Sequence, residues 1–161
     1  MRTLEHNNRI LVIDDNSAIH ADMRKILCPE ISKSGPELDE LEAAILGSGS
    51  TRERSKVAAC FKVDHAMQGQ EGLALLEKSL EEKRPYAMAI VDMRMPPGWD
   101  GLETTLALWK ASPDLQIVIC TAYSDYSWEE LIEQIGSTDR LVILKKPFES
   151  VEVLQLANAL T

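Results

Sequence analysis

The chain of 161 residues has 45% hydrophobic and 27% charged residues, the balance of an ordinary globular protein long enough to bury the core of one domain over residues 1–161. Its formal charge of −9 argues against nucleic-acid binding by this segment, because phosphate contacts need clustered Lys and Arg. No apolar run approaches the roughly 18 residues of a membrane span, and the N-terminus lacks the apolar stretch of a signal peptide. We therefore expect a cytoplasmic location and no membrane contact by this segment.

Short apolar runs rich in β-branched residues alternate with amphipathic helical patterns along the chain. The runs predict strands over residues 9–13, 57–63, 86–91, 116–120 and 141–144. Helical spacing of apolar residues predicts helices over 17–27, 69–80, 102–110, 128–135 and 151–160. The runs are mostly continuous rather than alternating, which is typical of parallel strands covered on both faces. The predicted fold is α/β, a doubly wound five-stranded parallel sheet with helices on both faces.

One segment interrupts this alternation. Residues of about 29–56 separate the first helix from the second strand, where a connection of two to six residues is usual. Two Ser/Gly/Pro-rich clusters, SKSGP and GSGST, flank the stretch ELDELEAAIL, in which Leu38, Leu41 and Ile45 have helical spacing. We predict an insertion that holds a short amphipathic helix, serving either as a surface excursion without a role of its own or as a protein contact.

The cysteines and histidines suggest no further site. Cys28, Cys60 and Cys120 show no spacing that indicates a pair, and Cys120 lies in the apolar run IVICTA, as a small buried hydrophobic residue would. The three histidines are far apart in the sequence. His20 falls within a predicted helix, where a lone histidine is more often structural than a metal ligand.

Polar residues gather where the predicted strands end. Asp14 and Asp15 follow the first strand, Asp92 the third and Thr121 the fourth, while Lys145-Lys146-Pro147 follows the fifth. The carboxyl ends of parallel strands form the functional edge of such a sheet, so these groups should converge. Crowded carboxylates favour Mg²⁺, and a carboxylate beside a bound cation can attack phosphorus. A Lys ammonium and a Thr hydroxyl would then hold the phosphoryl oxygens.

The segments RILVIDDN, IVDMRMPPGWDG, IVICTAY and ILKKPF resemble, in order, the four signature stretches of response-regulator receiver domains. Together with GQEGLALL they cover almost the whole chain except the insertion. The resemblance implies a flavodoxin-like receiver fold that accepts a phosphoryl group from a histidine kinase, a phosphotransfer protein or a small phosphodonor. It further implies a conformational switch that controls an output domain or partner.

By position, the resemblance implies roles for the strand-end residues. Asp92 corresponds to the phosphoacceptor and Thr121 to the switch hydroxyl. Asp15 corresponds to a direct Mg²⁺ ligand, Asp14 to a ligand acting largely through water, and the main-chain carbonyl of Arg94 to the third protein ligand.

The same resemblance assigns different roles to the two lysines that follow the predicted fifth strand. Lys146, joined to Pro147, corresponds to the phosphate-binding lysine, and this junction resembles the family's cis peptide bond. Lys145 is then a neighbour that points elsewhere.

Two departures from the family pattern concern how a signal leaves the site. The turn MPPGWDG is one residue longer than usual and contains Trp99. Ile143 stands where receivers usually have the aromatic residue of the switch. The surface change should therefore either be smaller or be carried by neighbours such as Tyr123, Tyr126 and Trp128.

Alternatives differ in chemistry. A degenerate receiver would keep the same residues as a salt-bridged interaction module without phosphorylation. An aspartate-dependent phosphohydrolase would need a carboxylate two residues after its nucleophile, where this chain has Asn16 and Ser17, and a dinucleotide site would need glycines in DDNSAIH. The chain is predicted to be a regulatory domain rather than an enzyme. We expect its native protein to continue into a C-terminal output domain, as a fragment of a hybrid histidine kinase or diguanylate cyclase would.

Overall fold

The computed structural model describes residues 7–28, 60–122, 127–136 and 138–161. A parallel sheet of five strands forms its centre, in the order β2-β1-β3-β4-β5. The strands are β1 (Arg9–Ile13), β2 (Lys62–Ala66), β3 (Met88–Asp92), β4 (Gln116–Thr121) and β5 (Leu141–Lys145). The chain runs outward from β1 to β2 and then back across to β3, which is the doubly wound arrangement. The predicted fold class is confirmed.

Five helices connect or follow the strands within the described residues. They are α1 (Ser17–Leu27), α2 (Gly69–Glu81), α3 (Gly101–Ala111), α4 (Trp128–Ile135) and α5 (Ser150–Leu160). Their starts have physical causes: the side chains of Asn16, Asp100 and Ser127 accept hydrogen bonds from main-chain N–H groups of α1, α3 and α4. The predicted helix bounds agree with these to within a residue at each end. The helical spacing of apolar residues is therefore a sufficient signal for these bounds.

The second strand is the one displaced from its prediction. The apolar run 57–63 predicts a strand that should end at Val63, whereas β2 continues to Ala66 and begins at Lys62. Because β2 lies at the edge of the sheet and pairs with β1 alone, its side chains are largely half-exposed. A continuous apolar run therefore marks this strand poorly, in contrast to β3, which is buried along its whole length.

Alternate residues of the central strands supply two separate apolar layers. Leu11 and Ile13 of β1 point to the layer that also contains Leu76 of α2 and Leu108 of α3. The other face is a layer of residues from the sheet and helices α1 and α5: Ile10, Val12, Met23, Leu27, Val153 and Ala157. Burial of each Leu, Ile, Val or Met side chain in these layers contributes about 1.5–3 kcal/mol. Because both faces of the sheet are packed, the residues at the carboxyl ends of its strands have fixed positions.

A disulfide joins the end of α1 to the segment before β2. Cys28 and Cys60 form it, with their Cα atoms 4.6 Å apart, while Phe61 N donates a hydrogen bond to Leu27 O at 3.1 Å. The expectation that these cysteines show no pairing is wrong, because the fold closes a contact between positions separated by 32 residues. Cys120 is free and buried, as expected. The insertion predicted at about 29–56, with its helix, lies outside the described residues.

Candidate functional site

The strand register brings the polar residues of the carboxyl edge to one level. Ile13 of β1 pairs with Val91, so Asp14 stands level with Asp92 at the end of β3. Asp92 pairs with Cys120, and the next residue, Thr121, pairs with Lys145 of β5. Parallel pairing therefore places the ends of β1, β3, β4 and β5 side by side, as their sequence positions predict.

Asp14 is held on both its main chain and its side chain. Its N–H donates to Ala66 O at 3.1 Å, and its Oδ1 accepts from the N–H of Asn16 at 2.9 Å. The side chain is buried, and burial raises the pKa of the Asp14 carboxyl, while the Asn16 hydrogen bond opposes that rise. Asp15, the next residue, is exposed to solvent. The acidic pair thus offers one fixed carboxylate and one accessible carboxylate.

Asp92 completes a cluster of three carboxylates. One oxygen from each of Asp14, Asp15 and Asp92 lies within 4.8 Å of the others. Asp92 is only 8% exposed, and burial raises the pKa of its carboxyl, although Lys146 acts in the opposite sense. Carboxylates at this separation repel one another, and carboxylate oxygens are the ligands that a hard divalent cation prefers. The donor set therefore fits Mg²⁺.

Lys146 supplies the positive charge that faces this cluster. Its Nζ lies 2.8 Å from Asp92 Oδ1 and 3.7 Å from Asp14 Oδ2. Burial alone would lower the pKa of the Lys146 ammonium, but the hydrogen bond to Asp92 and the charges of Asp92 and Asp14 raise it overall. The Lys146–Pro147 peptide bond is cis, and Lys146 N donates to Thr121 O at 2.8 Å. The side chain of Lys145 is exposed instead.

Thr121 and its neighbour close the site from the β4 side. Thr121 is 4% exposed. Burial raises the pKa of the adjacent Cys120 thiol to about 12, so this thiol stays protonated and acts as an apolar residue. The structure thus places a buried hydroxyl, without a competing thiolate, at the end of the strand next to Asp92.

The loop after Asp92 is fixed by close packing of α3. Gly101 N donates to Met93 O at 2.8 Å, and a Cβ atom on Gly101 would stand 2.8 Å from Asp92 O. Only glycine permits this approach. Arg94, two residues after Asp92, has an exposed side chain in this loop. All the predicted site residues thus lie at or directly beside the same sheet edge.

Two histidines lie next to this site, and the sequence did not predict their contact. His20 Nε2 lies 2.7 Å from the main-chain oxygen of Asp14, and His20 Nδ1 lies 2.7 Å from Nδ1 of His65 on β2. His20 thus contacts a second histidine, which the sequence did not indicate, although its contacts are those of a structural residue rather than of a metal ligand, as expected. No local motif could have shown the pair, because the two residues are 45 positions apart and belong to different elements.

The sequence of this chain is similar to those of known proteins. The sequence profile of the response regulator receiver domain matches residues 50–158. The photosynthetic apparatus regulatory protein RegA of Cereibacter sphaeroides is 36% identical over 93 residues, which are 58% of this chain and 46% of that protein. RegA of Rhodovulum sulfidophilum is 33% identical over 76 residues, 47% of this chain and 39% of that protein. The matched part of this chain therefore spans less than half of these relatives.

Solved structures share the fold at low sequence identity. A receiver domain of an HD-domain-containing protein from Pseudomonas fluorescens Pf-5 has a TM-score of 0.65 and 17% identity, covering 99% of this chain and 90% of that one. A CheY-like receiver domain from Methanospirillum hungatei has a TM-score of 0.61 and 21% identity, covering 96% and 93%. A structure described as adenylate cyclase from Rhodopirellula baltica has a TM-score of 0.64 and 22% identity, covering 96% and 87%. The profile match extends over more than half of the chain, which therefore belongs to the response regulator receiver domain family.

Proposed function

We propose that this domain accepts a phosphoryl group on Asp92, with Mg²⁺ held by Asp14, Asp15, Asp92 and the main-chain carbonyl of Arg94. Membership of the receiver family supports phosphoacceptor signalling in a two-component system. The observation that carries the assignment to Asp92 is its position at the end of the central strand, 2.8 Å from the Lys146 ammonium and within 4.8 Å of two further carboxylates. A solvent-exposed Asp15 suits direct coordination, and a buried Asp14 suits contact through water.

The chemistry follows from the groups at the sheet edge. An Asp92 carboxylate oxygen attacks phosphorus, forming the O–P bond of an acyl phosphate while the bond from phosphorus to the donor's nitrogen or oxygen breaks. Bound Mg²⁺ would reduce the repulsion between the carboxylates and the incoming phosphoryl oxygens. Lys146 then transfers its contact from Asp92 to a phosphoryl oxygen, and the Thr121 hydroxyl donates to another.

The partners are also part of the proposal. The phosphodonor is a histidine kinase or phosphotransfer protein, with a small phosphodonor as substitute, and the phosphorylated domain controls an output domain that follows it in the native chain. Residues 1–161, including the insertion at about 29–56, are proposed to form one regulatory domain without catalytic turnover of its own. We propose that this domain is a piece of a larger signalling protein such as a hybrid histidine kinase or diguanylate cyclase.

Among the residues that the structure describes, no helix is long and apolar enough to cross a membrane. The cytoplasmic location that we propose rests instead on membership of the receiver family and on the histidine kinase or phosphotransfer protein proposed as its donor.

Incorporation of one phosphoryl mass tests this function against a degenerate receiver. The chain is incubated with acetyl phosphate and Mg²⁺, with and without excess EDTA, and the intact mass is measured. We expect Mg²⁺-dependent addition in the unmodified protein, none in Asp92→Asn, and normal addition in Asp114→Asn, because the fully exposed Asp114 carries the same charge outside the site. Absence of addition in the unmodified protein would support the degenerate alternative.

A further inference from the structure

A chain of hydrogen bonds runs from the surface of α1 to the acidic pair. Arg24 Nε lies 3.1 Å from His65 Nε2, and His65 Nδ1 lies 2.7 Å from His20 Nδ1. His20 Nε2 then lies 2.7 Å from the main-chain oxygen of Asp14. The two imidazole rings meet edge to face, with an interplanar angle of 84°. Arg24 and His20 belong to α1 and His65 to β2, so this series of hydrogen bonds also joins a helix to the edge strand.

The ends of the chain fix where its protons are. A guanidinium has donors but no acceptor, so Arg24 donates and His65 Nε2 must accept. The proton of a neutral His65 is then on Nδ1, from which it is donated to His20 Nδ1. At the opposite end, a carbonyl oxygen only accepts, so His20 Nε2 must carry its proton. Both ends give the same direction, in which every donor points towards Asp14 and both rings are neutral.

This direction completes the set of contacts around Asp14. Its N–H is bound to Ala66 O, its Oδ1 to the N–H of Asn16, and its main-chain oxygen to His20. The His20 side chain is 6% exposed, so water competes little for this hydrogen bond. The N–H and the carbonyl of Asp14 belong to two successive peptide groups, so these contacts hold the main chain on both sides of the Asp14 Cα. The carbonyl of Asp14 belongs to the peptide group that leads into Asp15, so the hydrogen bond from His20 restricts the plane of that group and the direction in which Asp15 leaves the strand.

We propose that His20 is a positioning residue for the acidic pair, and that His65 and Arg24 act through it by selecting its tautomer. The role rests on the proposed Mg²⁺ site and extends it to three residues that hold no metal themselves. Without the His20 donor the Asp14–Asp15 peptide would rotate more freely and leave a buried carbonyl unsatisfied. Residues that orient metal ligands typically account for about 10- to 100-fold in metal affinity. We expect a loss at the lower end, because His20 contacts the main chain of Asp14 rather than its carboxylate.

The tautomers of His20 and His65 can be measured directly by NMR on the 161-residue chain. Long-range ¹H–¹⁵N correlation spectra of the ¹⁵N-labelled, metal-free protein at neutral pH distinguish a protonated from an unprotonated ring nitrogen. We expect His20 to be protonated at Nε2 and His65 at Nδ1. In Arg24→Met, where only the Asp14 carbonyl still fixes the direction, the His65 signals should move in part towards the other tautomer. Lys25→Met, which removes the same charge from the next exposed position of α1, should leave them unchanged. The opposite tautomers in the unmodified protein would overturn the proposed chain.

Calorimetric titration with MgCl₂ measures the positioning role, alongside a thermal denaturation curve for each variant. His20→Phe, which keeps a ring but lacks the donor, should weaken Mg²⁺ binding about tenfold. His20→Gln, which retains an N–H donor, should recover most of the affinity, a rescue that a purely space-filling role would not give. Equal Mg²⁺ affinity in folded His20→Phe and the unmodified protein would overturn the positioning role alone. An unmodified protein that binds no Mg²⁺ would instead overturn the proposed metal site and, with it, the positioning role, while the tautomer spectra still decide the hydrogen-bond chain.

Discussion

The Nζ atom of Lys146 lies 2.8 Å from Oδ1 of Asp92, although Lys146 follows β5 and Asp92 ends β3, two strands that are not neighbours in the sheet. β4 lies between them, so the lysine side chain crosses the end of β4 to reach the central strand. The two strands are about 10 Å apart, a distance that a lysine side chain can bridge with its ammonium at the far end. Lys146 N also donates a hydrogen bond to Thr121 O at 2.8 Å, so the lysine begins beside the buried Thr121 at the end of β4 and reaches the carboxylate of Asp92.

Replacement of each of the two adjacent lysines should separate their roles. Lys146→Ala removes the ammonium that faces Asp92, so phosphorylation by acetyl phosphate should slow by about a hundredfold. Lys145→Ala removes the same charge from an exposed side chain and should leave the rate near that of the unmodified protein. The measurement is the time course of phosphoryl addition by intact mass. Slower phosphorylation in Lys145→Ala than in Lys146→Ala would show that the assignment of the two lysines is reversed.

The stability of the domain should depend on pH through His65. Burial, followed by the nearby His20 and Arg24, lowers the pKa of His65 from 6.5 to about 4, while Asp64 opposes the shift. The unfolded chain therefore binds a proton at higher pH than the folded one. This contribution to the free energy of unfolding is full above pH 6.5 and falls as the pH drops from 6.5 towards about 4.

The comparison that isolates this effect is His65→Gln. Urea denaturation between pH 7 and pH 4 should show a smaller decrease of stability for this variant than for the unmodified protein, since glutamine does not titrate. The buried carboxylates Asp14 and Asp92 titrate equally in both proteins, so their contribution cancels in the difference. Parallel stability curves for the two proteins would exclude His65 as the source.

The Cys28–Cys60 disulfide should stabilise the domain against unfolding. It closes a loop of 32 residues, for which the loss of unfolded-state entropy corresponds to about 4 kcal/mol. Cytosolic reductants keep most thiols reduced, so the effect should appear on comparing oxidised and reduced protein in vitro. Dithiothreitol should lower the melting temperature of the unmodified protein and leave that of the Cys28→Ser/Cys60→Ser variant unchanged. An equal drop in both would point to Cys120 or to a direct effect of the reagent.

The readout of phosphorylation should involve the start of α4 more than Ile143. Ile143 is half-buried against the core layer, and its β-branch restricts its rotamers, so it has little freedom to move. Trp128, the first residue of α4, is 48% exposed. Tyr123 and Tyr126, which are predicted to share this role, lie outside the described residues.

Beryllofluoride, a phosphoryl mimic, provides the test. Its addition with Mg²⁺ should change the tryptophan fluorescence of the unmodified protein, and most of the change should disappear in Trp128→Phe. A change that persists in Trp128→Phe but disappears in Trp99→Phe would place the response in the loop after Asp92 instead.

The sequence predicts most of the fold and the site because their signals are local. A continuous apolar run such as IVICTA marks a strand buried on both faces, and the residue that follows such a run lies at the carboxyl edge of the sheet. Asp92 and Thr121 could be placed in this way without any knowledge of contacts. The same logic fails for β2, whose exposure at the sheet edge removes the apolar signal from Asp64 and His65.

Contacts between distant elements escape such reasoning. Cys28 and Cys60 meet across the insertion, and His20 meets His65 from a different element. Neither pair has a sequence spacing that indicates a contact, because it is the packing of α1 beside β2 that brings the partners together. The tautomers of the histidines likewise depend on Arg24 and on the Asp14 carbonyl, which only the folded chain brings together.

Identification of the phosphorylated residue tests the central proposal most directly. The protein is treated with acetyl phosphate and Mg²⁺, reduced with borohydride to convert an aspartyl phosphate to homoserine, and digested for peptide mass spectrometry. We predict conversion at Asp92 alone, with Asp14 and Asp15 unmodified. Conversion at Asp14 or Asp15, or a phosphoryl group retained on a histidine with Asp92 intact, would contradict the account.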